Sequence, residues 1–145
     1  YVAAGKERLD MNYCVRHTGT KTECAINAAG ALRDTAFKLF RGTIDFVKGS
    51  AGSVGNEKEE VLLIDEKCVN QTIPIILCAE EDVVGNHGAT IGKPDEELLF
   101  YLESRGIPAQ ECYNMLAAAK LLAVCGKIPD DGIRNEIHDY IKEVY

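Results

Sequence analysis

Hydrophobic and polar residues alternate along much of the first half of the chain. Residues 9–16 alternate strictly, and residues 36–40 and 43–47 repeat the pattern over shorter stretches. Residues 61–64 and 73–78 are continuous apolar runs of strand length. A period of two and short apolar runs are typical of β-strands, so the pattern predicts five strands. Residues 36–40 are also short enough to form a single helical turn.

The connections between these strands carry no hairpin signal. Two-residue hairpin turns favour Asn-Gly or Asp-Gly, and neither dipeptide occurs in this half of the chain. Glycines at Gly42, Gly49, Gly52 and Gly55 interrupt the polar stretches instead. Short strands without hairpin turns fit a coiled β-solenoid. They also fit a sandwich, and the periodicity alone does not separate the two.

After residue 92 the pattern becomes helical. Asp95 is the expected N-cap of a first helix that ends near Gly106, and Pro108 can open a second helix that runs to Gly126. The apolar spacing predicts the buried side of the second helix, which comprises Cys112, Met115, Leu116, Ala119, Leu122 and Ala123.

A third helix is predicted near the end of the sequence. Asp130 or Asp131 caps it, and apolar residues follow at helical spacing. This stripe contains Ile133, Ile137, Tyr140, Ile141 and Val144. The chain is therefore predicted to divide into a β-rich part at 1–92 and a helical segment at 93–145.

Composition and charge exclude several classes of function. The 145 residues are 46% hydrophobic and 27% charged, with a formal net charge of −7 and no basic run. We therefore expect neither a nucleic-acid partner nor an anionic membrane partner. No stretch approaches 18 consecutive apolar residues, which disfavours a spanning helix. The first residue is Tyr1, so we expect the sequence to be part of a longer protein.

Six cysteines indicate a reducing compartment. Their spacings are wide and no Cys-x-x-Cys motif occurs, so a disulfide framework or a zinc site is disfavoured. A chain of this length can also bury a core without cross-links. We therefore expect reduced thiols and a cytoplasmic location.

His87 is the histidine with the most suggestive surroundings. It lies between glycines in the sequence GNHGAT, at a predicted corner between the last apolar strand and the first helix. An accessible imidazole there can bind a metal ion or carry a proton, and it can equally brace the loop. His17 is expected to be partly buried and structural, and His138 to lie on the surface of the third helix.

The acidic residues give no self-contained catalytic site. Residues 57–60 and 80–82 are predicted to be solvated charged stretches. No phosphate-binding loop, nucleophile elbow, His-Glu-x-x-His helix or calcium loop is present. A carboxylate-based hydrolase would need several acids on one inner solenoid face, and the predicted strands show none.

One long stretch resembles a known family. Residues 82–107 read DVVGNHGATIGKPDEELLFYLESRGI and resemble the C-terminal signature of the SufB/SufD scaffold proteins of SUF iron–sulfur cluster assembly. That signature reads roughly DVxCSHGATVGxLDEExLFYLxSRGI. Landmarks farther upstream agree more loosely, at His17, Thr22, 40–44, Ala51 and 62–64. The resemblance implies a right-handed parallel β-helix followed by about three helices.

The resemblance also implies a site. In the family, cluster assembly is associated with a Cys and a Glu of SufB and a His of SufD, and the SufD-type His matches His87. Gly88 stands where SufB has its Glu, and Glu59 falls at the SufB-type Cys position by ungapped counting. The chain therefore looks SufD-like. His87 is the candidate cluster ligand and Glu59 is a weak one, because iron–sulfur clusters favour thiolates.

The implied partners are a SufC-type ATPase and a second subunit. The helical region around 95–125 matches the part of the family that docks the ATPase, with Leu99, Phe100, Arg105 and Ile107 as candidate anchors. The second subunit is SufB-like or a copy of the same chain, joined through an open sheet edge.

Two functions remain open at this point. The first is a SufD-like scaffold subunit that performs no turnover, holds no intrinsic cofactor and helps to bind a transient cluster at a subunit interface. The alternative is a structural homodimeric β-solenoid without cluster chemistry, in which His87 only braces its surroundings.

Overall fold

The computed structural model describes residues 1–144. Seven β-strands precede three α-helices. The strands are β1 (Val2–Ala3), β2 (Arg8–His17), β3 (Glu23–Leu32), β4 (Phe37–Phe46), β5 (Ser53–Leu63), β6 (Val69–Cys78) and β7 (Val83–Gly92). The helices are α1 (Glu96–Glu103), α2 (Ala109–Cys125) and α3 (Asp131–Val144).

Successive strands alternate between two sheets. One sheet has the order β1-β3-β5-β7 and the other has the order β2-β4-β6. Every pairing is parallel, as in the ladder that joins Arg8–His17 to Phe37–Phe46. The predicted parallel β-helix with three C-terminal helices is therefore confirmed, and the sandwich is excluded. The solenoid makes about three turns.

The structure corrects several predicted strands. The predicted strands at 36–40 and 43–47 fall, except for residues 36 and 47, in the single strand β4, and the one at 61–64 overlaps the end of a longer β5. The strands β3 and β7 were not predicted. Both are rich in Ala, Gly and polar residues, and each pairs along its length with β5, which lies one turn after β3 and one turn before β7. Their own side chains therefore need little hydrophobic alternation.

The interior lies between the two sheets. The side chains of Phe40, Ile44 and Phe46 on β4 are fully buried there. A Cβ atom at Gly55 would lie 2.6 Å from Ile44 Cγ2, and one at Gly85 would lie 3.2 Å from the Phe46 ring. The large side chains of β4 therefore leave no room for a side chain at Gly55, and a Cβ at Gly85 would be in tight contact with Phe46 and with Ile76 on β6.

The helix boundaries largely follow the predicted caps. Asp95 Oδ1 accepts hydrogen bonds from the backbone N–H groups of Glu97 and Leu98, at 2.8 and 3.1 Å. Asp130 Oδ1 accepts from the N–H of Ile133 at 2.9 Å, so Asp130 caps α3. Pro108 precedes α2 and does not occupy its first helical position. None of the helices in residues 1–144 is long and apolar enough to cross a bilayer.

The buried side of α2 differs from the prediction. Cys112 and Ala117 are buried, whereas Met115, Ala119 and Ala123 are exposed. In α3 the predicted stripe is also incomplete, because Ile133 and Tyr140 are exposed and Ile141 is buried. Helix α2 packs mainly against β3, and α3 packs mainly against α2, so only part of each helix is covered. Periodicity does not reveal which turns of a helix are covered.

An ion pair helps to hold α2 against the solenoid. Lys120 Nζ lies 2.5 Å from Glu60 Oε2 on the outer face of β5, and Lys58 contacts the other oxygen. These two lysines lower the pKa of Glu60 from its ordinary value of 4.5 to about 2. The pair lies beside a small apolar cluster formed by Ala31, Leu62 and Ala117.

Glu60→Gln is expected to remove an acid-sensitive part of the stability. The folded-state pKa is below the unfolded value, so the contribution is complete above pH 4.5 and disappears as the pH falls towards 2. The side chains of Glu60 and Lys120 are 29% and 39% exposed, so we expect about 0.2–1 kcal/mol. Urea unfolding at pH 7 and pH 3 measures this. Glu136→Gln on α3 is the control. If Glu60→Gln lost the same free energy of unfolding at pH 7 and at pH 3, the lowered pKa of Glu60 would be contradicted.

Candidate functional site

His87 lies in the middle of β7 and not at a strand-to-helix corner. His87 is the register partner of Glu57 on β5. The parallel ladder pairs residues 53–62 of β5 with residues 83–92 of β7. Paired residues of adjacent strands project to the same side of a sheet. Glu57 is buried between the two sheets, so His87 belongs to the inner face of the solenoid.

His87 is nevertheless exposed, because β7 is the last strand of its sheet. Within residues 1–144, no strand pairs with the outer edge of β7 or with that of β6. We call this end of the solenoid, formed by β6 and β7, the open end. Apolar side chains are exposed on these two strands at Val69, Ile73, Leu77, Val84 and Ile91. The open end therefore combines unpaired strand edges, apolar side chains and an accessible imidazole.

Glu57 lies one turn deeper in the solenoid than His87. Its side chain is 4% exposed, and its Oε2 atom is inaccessible and has no hydrogen-bond partner. Burial raises the pKa of this carboxyl group, and the neighbouring His87 partly opposes that shift. The carboxylate lies against the backbone of β4, where a Cβ on Gly42 would be 2.3 Å from Oε1.

Glu59 belongs to a separate buried network. Its Oε1 accepts from Lys38 Nζ at 2.5 Å and from the Tyr1 hydroxyl at 2.7 Å, and its Oε2 accepts from the Thr72 hydroxyl at 2.6 Å. Burial lowers the pKa of Lys38, and the neighbouring Glu59 partly offsets this shift. Burial raises the pKa of the Tyr1 phenol, and Glu59 raises it further. Both oxygens of Glu59 are thus engaged within the protein. To bind iron, Glu59 would have to give up one or more of these hydrogen bonds.

The prediction of a solvated acidic stretch at 57–60 is wrong for two of its residues. Alternation along β5 directs Glu57 and Glu59 inward, and Lys58 and Glu60 outward. We expected no strand to carry more than one inward-facing acidic residue. This prediction is also wrong, because Glu57 and Glu59 both face inward on β5. Inward-facing positions 53, 55, 57 and 59 hold Ser, Gly, Glu and Glu, so no apolar residue signals the alternation there. The side chains of Glu57 and Glu59 are enclosed between the two sheets.

His17 is more deeply buried than expected, and His138 lies on the surface of α3 as expected. His17 is buried, with Nδ1 2.5 Å from Thr22 Oγ1 and Nε2 3.2 Å from Cys24 Sγ. Its ring stacks on Phe46 at 4.7 Å between centroids, which agrees with a structural role. Burial raises the pKa of the Cys24 thiol, so Cys24 is not an activated nucleophile. His138 lies on α3, with its imidazole 3.7 Å from Asp139.

The four candidate ATPase anchors lie on α1 and the turn that follows it. Phe100 is 74% exposed, and Arg105 stacks on the ring of Tyr101 at 4.5 Å. Leu99 and Ile107 are half-buried. Tyr101 is itself exposed and was not among the candidates. The structure thus presents two exposed aromatic rings on one short helix and a guanidinium group on the turn that follows it.

Thiols and metal ligands are dispersed over the part of the chain that the structure describes. The six cysteines are free. No group of three or more His, Cys, Asp or Glu side chains in residues 1–144 is arranged to hold a metal ion. His87 and Glu57 lie on neighbouring strands as register partners and could contribute to a site completed by groups from elsewhere.

Comparison with known proteins identifies related sequences. Residues 1–120 match the family model "SUF system FeS cluster assembly, SufBD core domain". The chain is 28% identical over 141 residues to iron–sulfur cluster assembly protein SufD of Bacillus subtilis, covering 97% of this chain and 32% of the relative.

Two further relatives show similar identity. SufD of Escherichia coli is 29% identical over 104 residues, covering 72% of this chain and 25% of the relative. SufB of B. subtilis is 29% identical over 114 residues, covering 78% of this chain and 24% of the relative. The chain thus spans about a third or less of the length of these curated relatives.

Proposed function

The chain belongs to the SufBD core-domain family of SUF iron–sulfur cluster assembly, and on this basis we propose that it is a SufD-like scaffold subunit. In this role it binds partners and helps to hold a nascent cluster, which is cargo and not a resident cofactor. It performs no enzymatic turnover of its own. The six free thiols support the proposed cytoplasmic location.

The position of His87 carries this proposal. An imidazole at the exposed inner edge of the final strand is accessible to an iron atom shared with a second subunit. The thiolate that a cluster requires would come from that subunit, because the SufB-type ligand positions are Gly88 and Glu59 here. A neutral imidazole bears no charge and binds iron less strongly than a thiolate, which suits transfer of the cluster to an acceptor.

The open end supports pairing with a SufB-like subunit or a second copy of this chain. The unpaired edges of β6 and β7 offer backbone donors and acceptors to another strand. The exposed apolar side chains of these strands, such as Ile73 and Val84, add area that association would bury. Pairing there would bring the partner's ligands close to His87.

Helix α1 supports docking of a SufC-type ATPase. Phe100 is an exposed aromatic anchor, and Arg105 stacked on Tyr101 presents a cation beside it. Exposed aromatic and arginine side chains are the residue types that dominate binding energy in protein interfaces. Leu99 and Ile107 provide apolar area below them.

The test is reconstitution of the complete protein with a SufC-type ATPase and a SufB-type subunit. His87→Ala is expected to leave the complex intact and to lower its iron and sulfide content about tenfold or more, because a ligand is lost. Phe100→Asp is expected to release the ATPase without unfolding the protein. Tyr140→Asp is the matched control, since Tyr140 is an equally exposed aromatic residue on α3.

The alternative function is a structural homodimeric module. It would use the same open end for association between copies but would have no role for His87 in ligation. Unchanged cluster content in His87→Ala, together with no ATPase binding by the folded protein, would favour this alternative and contradict the proposal.

A further inference from the structure

Glu57 is the ionisable group directly beneath His87. The two residues are paired in the β5–β7 ladder and face the same side, so their side chains are neighbours on adjacent turns. The imidazole is exposed and the carboxylate is enclosed. Glu59, two residues farther along β5, is not an alternative, because Lys38, Tyr1 and Thr72 already occupy both of its oxygens.

The resting fold gives no structural reason for an acid at position 57. A buried carboxylate oxygen without a hydrogen bond is costly, and such groups in proteins are rare. Glu57 Oε2 is in this condition. The opposite strand also leaves space for the carboxyl group by having glycine at position 42, where any Cβ would collide with it. The chain thus maintains an enclosed acceptor whose partner is missing from the resting fold.

We propose that Glu57 is the positioning residue of His87. When iron binds the exposed ring nitrogen, the carboxylate of Glu57 accepts a hydrogen bond from the N–H of the other ring nitrogen. Metal-binding histidines commonly donate this second N–H to a carboxylate, which fixes the tautomer and the ring orientation and makes the imidazole a stronger donor. This inference rests on the proposed ligand role of His87 and adds the group that orients it.

The decisive variant is Glu57→Gln, which retains the size of the side chain and removes its charge. Co²⁺ is the probe, because its visible absorption reports histidine ligation. The protein is the complete chain assembled with its SufB-type subunit. We expect Glu57→Gln to weaken Co²⁺ binding by 10–100-fold. Glu60→Gln, on the outer face of the same strand, should bind Co²⁺ as the unmodified protein does.

A second measurement separates positioning from a structural role. Long-range ¹H–¹⁵N spectra at pH 8, recorded with diamagnetic Zn²⁺ bound in place of Co²⁺, report which ring nitrogen of His87 carries the proton, and His17 and His138 serve as internal references. Glu57→Gln should redistribute the His87 tautomers, leave those of His17 unchanged and leave the midpoint of urea unfolding unchanged or higher. A lower unfolding midpoint with unchanged tautomers would overturn the positioning role.

The same experiment distinguishes this inference from the proposed function. His87→Ala should weaken Co²⁺ binding at least as much as Glu57→Gln does. If it does and Glu57→Gln binds Co²⁺ normally, the positioning role is wrong and the ligand role of His87 stands. If His87→Ala binds Co²⁺ as the unmodified protein does, the ligand role fails and the inference about Glu57 fails with it.

Discussion

Replacing Lys38 with methionine is expected to lower the free energy of unfolding by about 3–5 kcal/mol. Lys38 Nζ lies 2.5 Å from Glu59 Oε1, and both side chains are fully buried between the sheets. Methionine has nearly the same length but no charge, so it leaves Glu59 as an enclosed anion without its counter-ion. Urea or thermal unfolding at pH 7 measures the loss.

The double variant Lys38→Met/Glu59→Gln is the control for this prediction. A glutamine at position 59 is neutral. Its amide oxygen can accept from the Tyr1 hydroxyl in place of Oε1, and its amide NH₂ group can donate to the Thr72 hydroxyl oxygen in place of Oε2. Removing both members of a buried ion pair is often close to neutral. The double variant should therefore recover most of the stability. If Lys38→Met alone cost less than about 1 kcal/mol, the pair would have to be solvated, contrary to the structure.

Phe46→Ala is expected to cost about 3–5 kcal/mol, the usual range for truncating a buried phenylalanine. The Phe46 ring is fully buried and stacks on His17. It also lies against Gly55 and Gly85, which belong to successive turns of the facing sheet. A cavity there would loosen three turns at once, including the strand that carries His87.

Phe100→Ala is the comparison for Phe46→Ala. Phe100 is 74% exposed, so its truncation should change the stability by no more than about 0.5 kcal/mol. Thermal unfolding of both variants under identical conditions gives the difference directly. Similar values for the two variants would contradict the location of Phe46 in the core.

The sequence revealed those strands whose own side chains alternate. Strand β2 has apolar residues at every second position, and β6 contains a continuous apolar run, so both were predicted. Strand β3 has the sequence ECAINAAGAL and β7 has VVGNHGATIG, and neither run has a strong pattern. Their conformation depends on pairing with another turn, which local patterns do not encode. The solenoid itself was chosen from the family resemblance and not from periodicity.

The site was only partly visible in the sequence. His87 was singled out by its glycine neighbours and by the resemblance, but it was assigned to a corner because the glycines of β7 looked like loop residues. Glu57 was read as a surface charge. Recognising it required knowing that β5 begins at Ser53, because only then do positions 53, 55, 57 and 59 fall on the inner face. The space left by Gly42 is a contact between distant turns and has no local signal.

The residue-for-residue ladder between turns constrains how this chain can change in length. Cys24, Gly55 and Gly85 occupy the same column of successive strands. One amino acid inserted within β5 would shift everything after it by one place and exchange inward and outward side chains in that strand. An insertion that adds a complete turn of the solenoid would keep every residue paired with its present partners. An insertion confined to a loop between strands would do the same. We therefore expect length variation among homologues to occur in whole coils or at their corners.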